Sequence, residues 1–303
     1  MSEPVVAVIL ATYNGERFLP EQLRSLDRQT RRPDCVVLRD DGSSDCSVDI
    51  VRHWANAVAL PLQIVSGKRL GPAKSFLQAL KEAESADIFM FADQDDVWLP
   101  LKIERALGFV HWGFAAPPTL YASRLAVVNE RLRPIRLTQR PNELSFYSAV
   151  CENVLTGCTM ALNSAFREKV VHALPQRIAM HDWWLYLLAT TTATLVFDDT
   201  PTVLYRQHTN NAIGAGLVGL ARVRERIAQF AGPDCAVRSC QLQELLDLHG
   251  PNLDPAASIL VQQLLAARYS LSARLSAALN SPLRRQSLAS QLTTRLALLF
   301  NRF

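Results

Sequence analysis

The run Val5–Ala11 (VVAVILA) constrains this chain most: it is continuously apolar, largely β-branched, and stops at the turn cluster Thr12-Tyr13-Asn14-Gly15. That is the pattern of a strand buried on both faces. Phe18, Leu19, Gln22, Leu23 and Leu26 then recur at helical intervals, which predicts a helix over 18–28. A second strand at Cys35–Leu38 runs into Arg39-Asp40-Asp41-Gly42-Ser43-Ser44-Asp45, a loop whose Ser and Asp content suits the N-cap of a helix over 46–55. Leu62–Val65 reads as a third strand, followed by a Gly67–Gly71 loop and a helix over 72–84. Asp87–Ala92 is a fourth strand, ending at Asp93-Gln94-Asp95-Asp96. Such alternation predicts an α/β fold: right-handed βαβ units, a Rossmann-like, mostly parallel central sheet, and helices on both faces. Ligands of these sheets bind beyond the carboxyl ends of the strands, where each unusual polar cluster of this half falls.

After Trp98 the order changes. The pattern predicts a helix over 101–112, a strand over 120–128, a loop over 131–142 and a strand-like run over 153–162. Helices over 164–173 and 183–190 and strands over 193–197 and 202–204 follow, and beyond Asn211 Arg, Leu, Ala, Gln and Ser recur at helical spacing to the end. The expected organisation is a domain over 1–214, with a nucleotide-binding half (1–97) and an acceptor half (98–214), and a helical C-terminal region over 215–303.

With 49% hydrophobic and 20% charged residues the chain is globular, and a net charge of +4 is no nucleic-acid footprint. Six cysteines with no C-x-x-C pair and no histidine at zinc spacing read as reduced thiols of a cytoplasmic protein. The start MSEPVVAVIL lacks the basic region and cleavage site of a signal peptide, and the stretch from Trp183 to Phe197 is too short and too threonine-rich to span a bilayer.

Asp93, Asp95 and Asp96 crowd three carboxylates into four residues. Like charges repel, and a divalent cation such as Mn²⁺ or Mg²⁺, which prefers oxygen ligands, relieves the repulsion and neutralises a departing diphosphate. The plain alternative is a solvated acidic turn.

Taken together, ATYNG (11–15), RDDGSSD (39–45) and DQDDVW (93–98) resemble the motifs of family-2 glycosyltransferases, which have the GT-A fold. With HDWW (181–184) and YRQHTNN (205–211) the likeness, over roughly 4–214, is to the rhamnosyltransferase-like branch. The resemblance implies an inverting, metal-dependent transfer of a sugar, with rhamnose favoured, from a dTDP- or UDP-linked donor to a cell-surface glycan or lipid-linked acceptor. It places Thr12, Tyr13 and Asn14 at the nucleotide and makes Asp41 the acceptor of a pyrimidine N3–H, where a turn or cap is the local alternative. It also implies donor contacts from Asp93 and Gln94 and metal ligation by Asp95 and His208. Asp96 is then a supporting group or a further ligand. Lys74 and Arg206 are candidate diphosphate contacts, each with a structural alternative. Asp182 matches the general base, against the alternative of a helix-capping residue. Thr156 and Gly157 resemble the lining of the sugar pocket. Trp183 and Trp184 offer an aromatic wall, of which one belongs in a core. Cys158 reads as a small hydrophobe.

Residues 216–303 hold ten arginines, no lysine and five acids. They suit either a basic amphipathic surface resting on anionic lipid at the inner face of the membrane, or a helical bundle that covers the catalytic domain or forms a homodimer. Two rival functions share the acidic cluster: a nucleotidyltransferase, for which Gly67–Gly71 is a poor triphosphate loop, and a non-catalytic nucleotide-sugar-binding subunit, which would be expected to have lost the acids.

Overall fold

A computed structural model describes residues 3–113, 115–208 and 234–303. Thr209, Asn210 and Asn211 of the YRQHTNN motif and the expected boundary at 214 lie outside the described residues, as does the side chain of Cys235. The strands are β1 (Val6–Thr12), β2 (Cys35–Asp40), β3 (Leu62–Ser66), β4 (Ile88–Asp93), β5 (Val97–Trp98), β6 (Thr119–Asn129), β7 (Pro134–Leu137), β8 (Ala161–Asn163) and β9 (Thr194–Gln207). Helices α1 (Leu19–Asp27), α2 (Ser47–Ala57), α3 (Pro72–Glu82) and α4 (Lys102–Phe109) precede α5 (Phe146–Ala149), α6 (Ser164–His172) and α7 (His181–Thr192). Four more follow: α8 (Asp234–His249), α9 (Pro255–Ala266), α10 (Leu271–Asn280) and α11 (Leu288–Leu299).

The sheet runs β3-β2-β1-β4-β8-β6-β9-β5, with β7 against β6. Its first four strands are parallel, and Val6 to Leu10 of β1 are fully buried, as a strand covered on both faces must be. Register brings the carboxyl ends together, with Thr12 opposite Asp40 and Ala11 opposite Asp93. The sheet is mixed in its second half: β8 is antiparallel to β4 and β6, whereas β9 is parallel to β6 and antiparallel to β5.

Neither β5 nor α5 is expected from the sequence pattern, and three further elements differ from it. The two strand fragments around Pro201 are one strand, β9, because the register against β6 slips on either side of Arg124, absorbing Asp199 and Thr200 on one side and Thr202 on the other. The loop expected over 131–142 contains β7: the Asn129 side chain accepts the N–H groups of Arg131 and Arg133 at 3.0 Å each and folds the chain into a hairpin. Most of 153–162 is not strand. Thr159 donates its hydroxyl to the Thr156 carbonyl at 2.7 Å, which favours a 3₁₀ turn at Gly157–Thr159 and leaves only Ala161–Asn163 in the sheet.

The chain forms two compact units that interleave in sequence. The first takes Met1–Arg140, Leu155–Leu174 and Ala193–Ile213; the second takes Pro141–Val154, Pro175–Thr192 and Gly214–Phe303. The contiguous 98–214 half expected from sequence is therefore split. Within the second unit, α7 buries Trp184 to Ala189 without alternation, so it needs neighbours all round. Trp183 Nε1 donates to the Ala149 carbonyl at 2.6 Å, and Glu244 of α8 accepts from the Gln176 N–H and the Arg177 guanidinium at 3.0 Å each. Among the described residues, no helix is long and apolar enough to cross a membrane.

Candidate active site

In the first unit, the loops after β1 and β2 are tied to each other. The Asn14 N–H donates to Ser43 Oγ at 2.9 Å while Asn14 Oδ1 accepts the Ser44 N–H at 2.9 Å. Gly15 N–H reaches Ser47 Oγ at 2.8 Å, and Glu16 N–H reaches Asp45 Oδ2 at 3.0 Å. Burial pushes the Asp45 carboxyl up, but the Ser47 hydroxyl and the Glu16 and Ser47 N–H groups outweigh it and hold the carboxyl below its ordinary value. Asn14 thus shapes the loop, with a left-handed φ of 48° that asparagine tolerates. Asp40 closes its own turn, accepting the Gly42 and Ser43 N–H groups, and also accepts the Thr12 hydroxyl at 3.1 Å. Thr12 is buried, so its side chain is floor rather than wall.

Asp41 is committed more heavily than the sequence suggests. One oxygen accepts Ser75 Oγ at 2.6 Å and Arg39 at 3.3 Å; the other accepts the N–H groups of Leu70 and Gly71 at 3.0 and 2.7 Å. Arg39 also donates to the Lys68 carbonyl at 2.8 Å. The pair fastens the Gly67–Gly71 loop to the end of β2, so a nucleobase contact at Asp41 shares an oxygen already in use. That loop in turn lays Arg69 over the exposed Tyr13 ring, 3.9 Å from its centroid, with a 3.2 Å bond to the phenol oxygen. Nothing in the sequence singled out Arg69. Lys74 is half-buried in the first turn of α3.

The acidic turn is held from both sides. Gln94 pairs its amide with the Tyr13 backbone, accepting from N–H at 2.9 Å and donating to the carbonyl at 3.3 Å. Glycine leaves this amide its room, since a Cβ on Gly15 would lie 2.2 Å from Gln94 Oε1 and force the side chain to shift. On the other side, β9 pairs with β5, setting Leu204 opposite Val97, and so carries the residues after Tyr205 back to Asp95 and Asp96. His208 Nε2 lies 2.8 Å from Asp95 Oδ2, and its ring stacks on Phe18 at 4.8 Å. The Arg206 N–H donates to Asp96 Oδ1 at 3.0 Å and its guanidinium Nε to the Asp95 carbonyl at 2.7 Å. The same guanidinium bonds the Glu130 carbonyl and the Glu21 carboxylate and lies over Phe18. At 1% exposure, Arg206 is a strut beneath the turn and not the diphosphate contact expected from sequence.

Asp96 is fully buried, and its ligand atom lies within 4.8 Å of those of Asp93 and Cys158. Burial, reinforced by the Asp95 and Asp93 charges, pushes its carboxyl well above the ordinary range. Lys102, equally buried, sits with Nζ 4.5 Å from the centroid of the Trp98 ring; burial lowers its pKa to about 8, partly opposed by Cys158 and Asp96. Burial also drives the Cys158 thiol up, which fits its reading as a small buried group. A lysine in the first turn of a helix reads as solvated, so sequence carried no signal for this one.

Asp95 and His208 fit a divalent cation. Adjacent ligands of an octahedral ion stand about 3 Å apart, close to the spacing of these two atoms, and a carboxylate with a neutral imidazole is a donor set that Mn²⁺ accepts. Asp93 and Asp95 are half-buried, within reach of solvent, unlike Asp96.

In the second unit, Asp182 lies in the first turn of α7 and accepts the Trp183 N–H at 2.7 Å. Burial holds the neighbouring His181 imidazole neutral, with its pKa lowered to about 3. Trp183 is half-buried, whereas Trp184 is 0% exposed against His249 and is core, not a sugar wall. Thr156 is half-buried and Gly157 buried, both in the first unit.

Known proteins resemble this chain in sequence or in its arrangement of strands. The dTDP-rhamnosyl transferase RfbG of Shigella flexneri is 29% identical over 219 residues, covering 69% of this chain and 74% of that protein. Among solved structures, S. aureus TarS in complex with UDP-GlcNAc aligns with a TM-score of 0.61 at 19% identity, over 97% of this chain and 79% of that one. The mannosyltransferase PcManGT from Pyrobaculum calidifontis, in complex with GDP-Man and Mn²⁺, aligns at 0.54 and 17% identity, over 99% and 86%. These likenesses show the GT-A fold. Residues 7–173, more than half of the chain and including ATYNG, RDDGSSD and DQDDVW, match the family described as Glycosyl transferase family 2, and the chain belongs to that family.

Proposed function

We propose that this transferase moves a sugar, with inversion, from a dTDP- or UDP-linked donor to a lipid-linked or cell-surface glycan on the cytoplasmic side of the membrane. The observation that carries the reading is the contact of His208 with Asp95 at the carboxyl ends of β9 and β4, beside the loops that follow β1 and β2. Tyr13 and Asp41 take the base, Asp93 and Gln94 the ribose side, and Lys74 the diphosphate. Rhamnose is the preferred sugar, supported by the similarity to RfbG. Asp95 and His208 would hold a divalent cation, which when bound offsets charge on the leaving nucleoside diphosphate. The resemblance of HDWW (181–184) to the family's motif supports proton removal by Asp182: the acceptor hydroxyl gives its proton to this carboxylate, its oxygen bonds the anomeric carbon, and the bond to the diphosphate breaks with its electron pair. A nucleotidyltransferase is disfavoured because the Leu70 and Gly71 N–H groups, which would have to cradle a triphosphate, are spent on Asp41.

The test is transfer from a panel of nucleotide sugars with and without Mn²⁺. Asp95→Ala should abolish metal-dependent turnover, and Asp182→Asn should lose transfer while binding the nucleotide as before. Full activity of Asp95→Ala in chelator would overturn the metal reading, and loss of nucleotide binding in Asp182→Asn would make Asp182 structural.

A further inference from the structure

Helices α10 and α11 are amphipathic the wrong way round for a bundle. Their buried positions are mostly small or polar: Ala277 and Ala278 on α10, and Ser290, Thr294 and Ala297 on α11, with Leu298 the one large apolar side chain among them. Most of their large apolar side chains point outward. Leu271, Leu275 and Leu279 form one exposed stripe at a spacing of four; Leu288, Leu292, Leu296 and Phe300 form a second, with Leu288 90% exposed. Arg295 ties the two helices by donating to the Ala278 and Ser281 carbonyls. The longer stripe runs for about 18 Å, from the rise of 1.5 Å per residue. Water alone does not favour two leucine rows held outward by a packed hairpin.

Charge identifies what covers them. From residue 255 to 303 there are six arginines and no lysine, aspartate or glutamate. Arg284 and Arg302 are exposed, and Arg268 and Arg274 are half-exposed. A second copy docked on this face by a two-fold axis would set these arginines against their own kind with no acid of the segment to neutralise them. An anionic lipid surface answers both features, since acyl chains accept the leucines and headgroups the guanidinium groups, at roughly fivefold in affinity per arginine near the surface.

We propose that the α10–α11 hairpin lies flat on an anionic phospholipid membrane, with the stripes Leu271-Leu275-Leu279 and Leu288-Leu292-Leu296-Phe300 in the headgroup–acyl boundary. The proposal is independent of the sugar-transfer reading, because it is measured without a nucleotide sugar. Full-length protein is sedimented with vesicles of phosphatidylglycerol and phosphatidylcholine, or of phosphatidylcholine alone. Binding to the anionic vesicles should be at least tenfold tighter. L288S/L292S, at exposed positions that leave the melting curve unchanged, should weaken it at least tenfold. R284Q/R302Q should lose affinity for the anionic vesicles only. Equal partition to both vesicle types, or full binding by L288S/L292S, overturns the proposal. So does a dimer in sedimentation velocity that L288S/L292S dissociates, combined with no vesicle binding, which assigns the face to a second copy.

Discussion

Arg206 and His208 stand two residues apart on one chain segment and meet different fates. The arginine is swallowed whole, its guanidinium divided among Asp95, Glu130, Glu21 and Phe18, while the histidine keeps one nitrogen at the Asp95 carboxylate. Motif position alone treats both as ligand contacts; the partners that occupy the guanidinium separate them. His181 shows how burial acts on a titrating group. Its folded pKa of about 3 lies below the ordinary 6.5, so the unfolded chain binds the proton first. The stability of keeping it neutral is therefore complete above pH 6.5 and is lost as pH falls toward 3, at roughly 1.4 kcal/mol per pH unit. Thermal melts between pH 7 and 4.5 should show the parent losing Tm faster than His181→Gln. Parallel losses would assign the acid sensitivity to other groups.

At the scale of elements, the loops after β1, β2 and β4 form one bonded set, with Gln94 its keystone and Gly15 the space it needs. Gly15→Ala should push Gln94 off the Tyr13 backbone, costing about 1 kcal/mol in urea unfolding, and should weaken nucleotide binding in calorimetry. In a Gln94→Ala background most of that penalty should vanish; if it persists, the clash lies elsewhere. The first four strands were legible from sequence because each is a short apolar run closed by polar residues. So were the acids at their ends, because chemistry and position agreed. The later strands were not, for physical reasons. The slip around Arg124 breaks the pattern of β9, and β7 is a four-residue exposed hairpin arm opening on a proline, too short to establish an alternating pattern. Within the site, Trp183 and Trp184 are indistinguishable as adjacent letters on an apolar helix. Lys102 looks like any lysine in a first turn until packing encloses it.

For the whole molecule, the interleaving of the two units matters more than their number. Segments 141–154 and 175–192 belong with the C-terminal helices, and α7 buries its apolar residues in that company. A chain cut near Gly214 should not behave as a free-standing catalytic domain. It should elute as aggregate and bind a hydrophobic dye, whereas a monodisperse, cooperatively melting product would show that α7 finds cover without α8–α11. The bond between Asp95 and His208 has a consequence of its own, because it spans 113 residues. At about 5–20 residues per second, the ribosome delivers the acidic turn roughly 6 to 23 s before the histidine, the 113-residue gap divided by that rate. Through that interval the nascent chain carries the motif without the site. The Asp95–His208 contact is therefore made late in biosynthesis, on completion of β9, and cannot be what nucleates the fold.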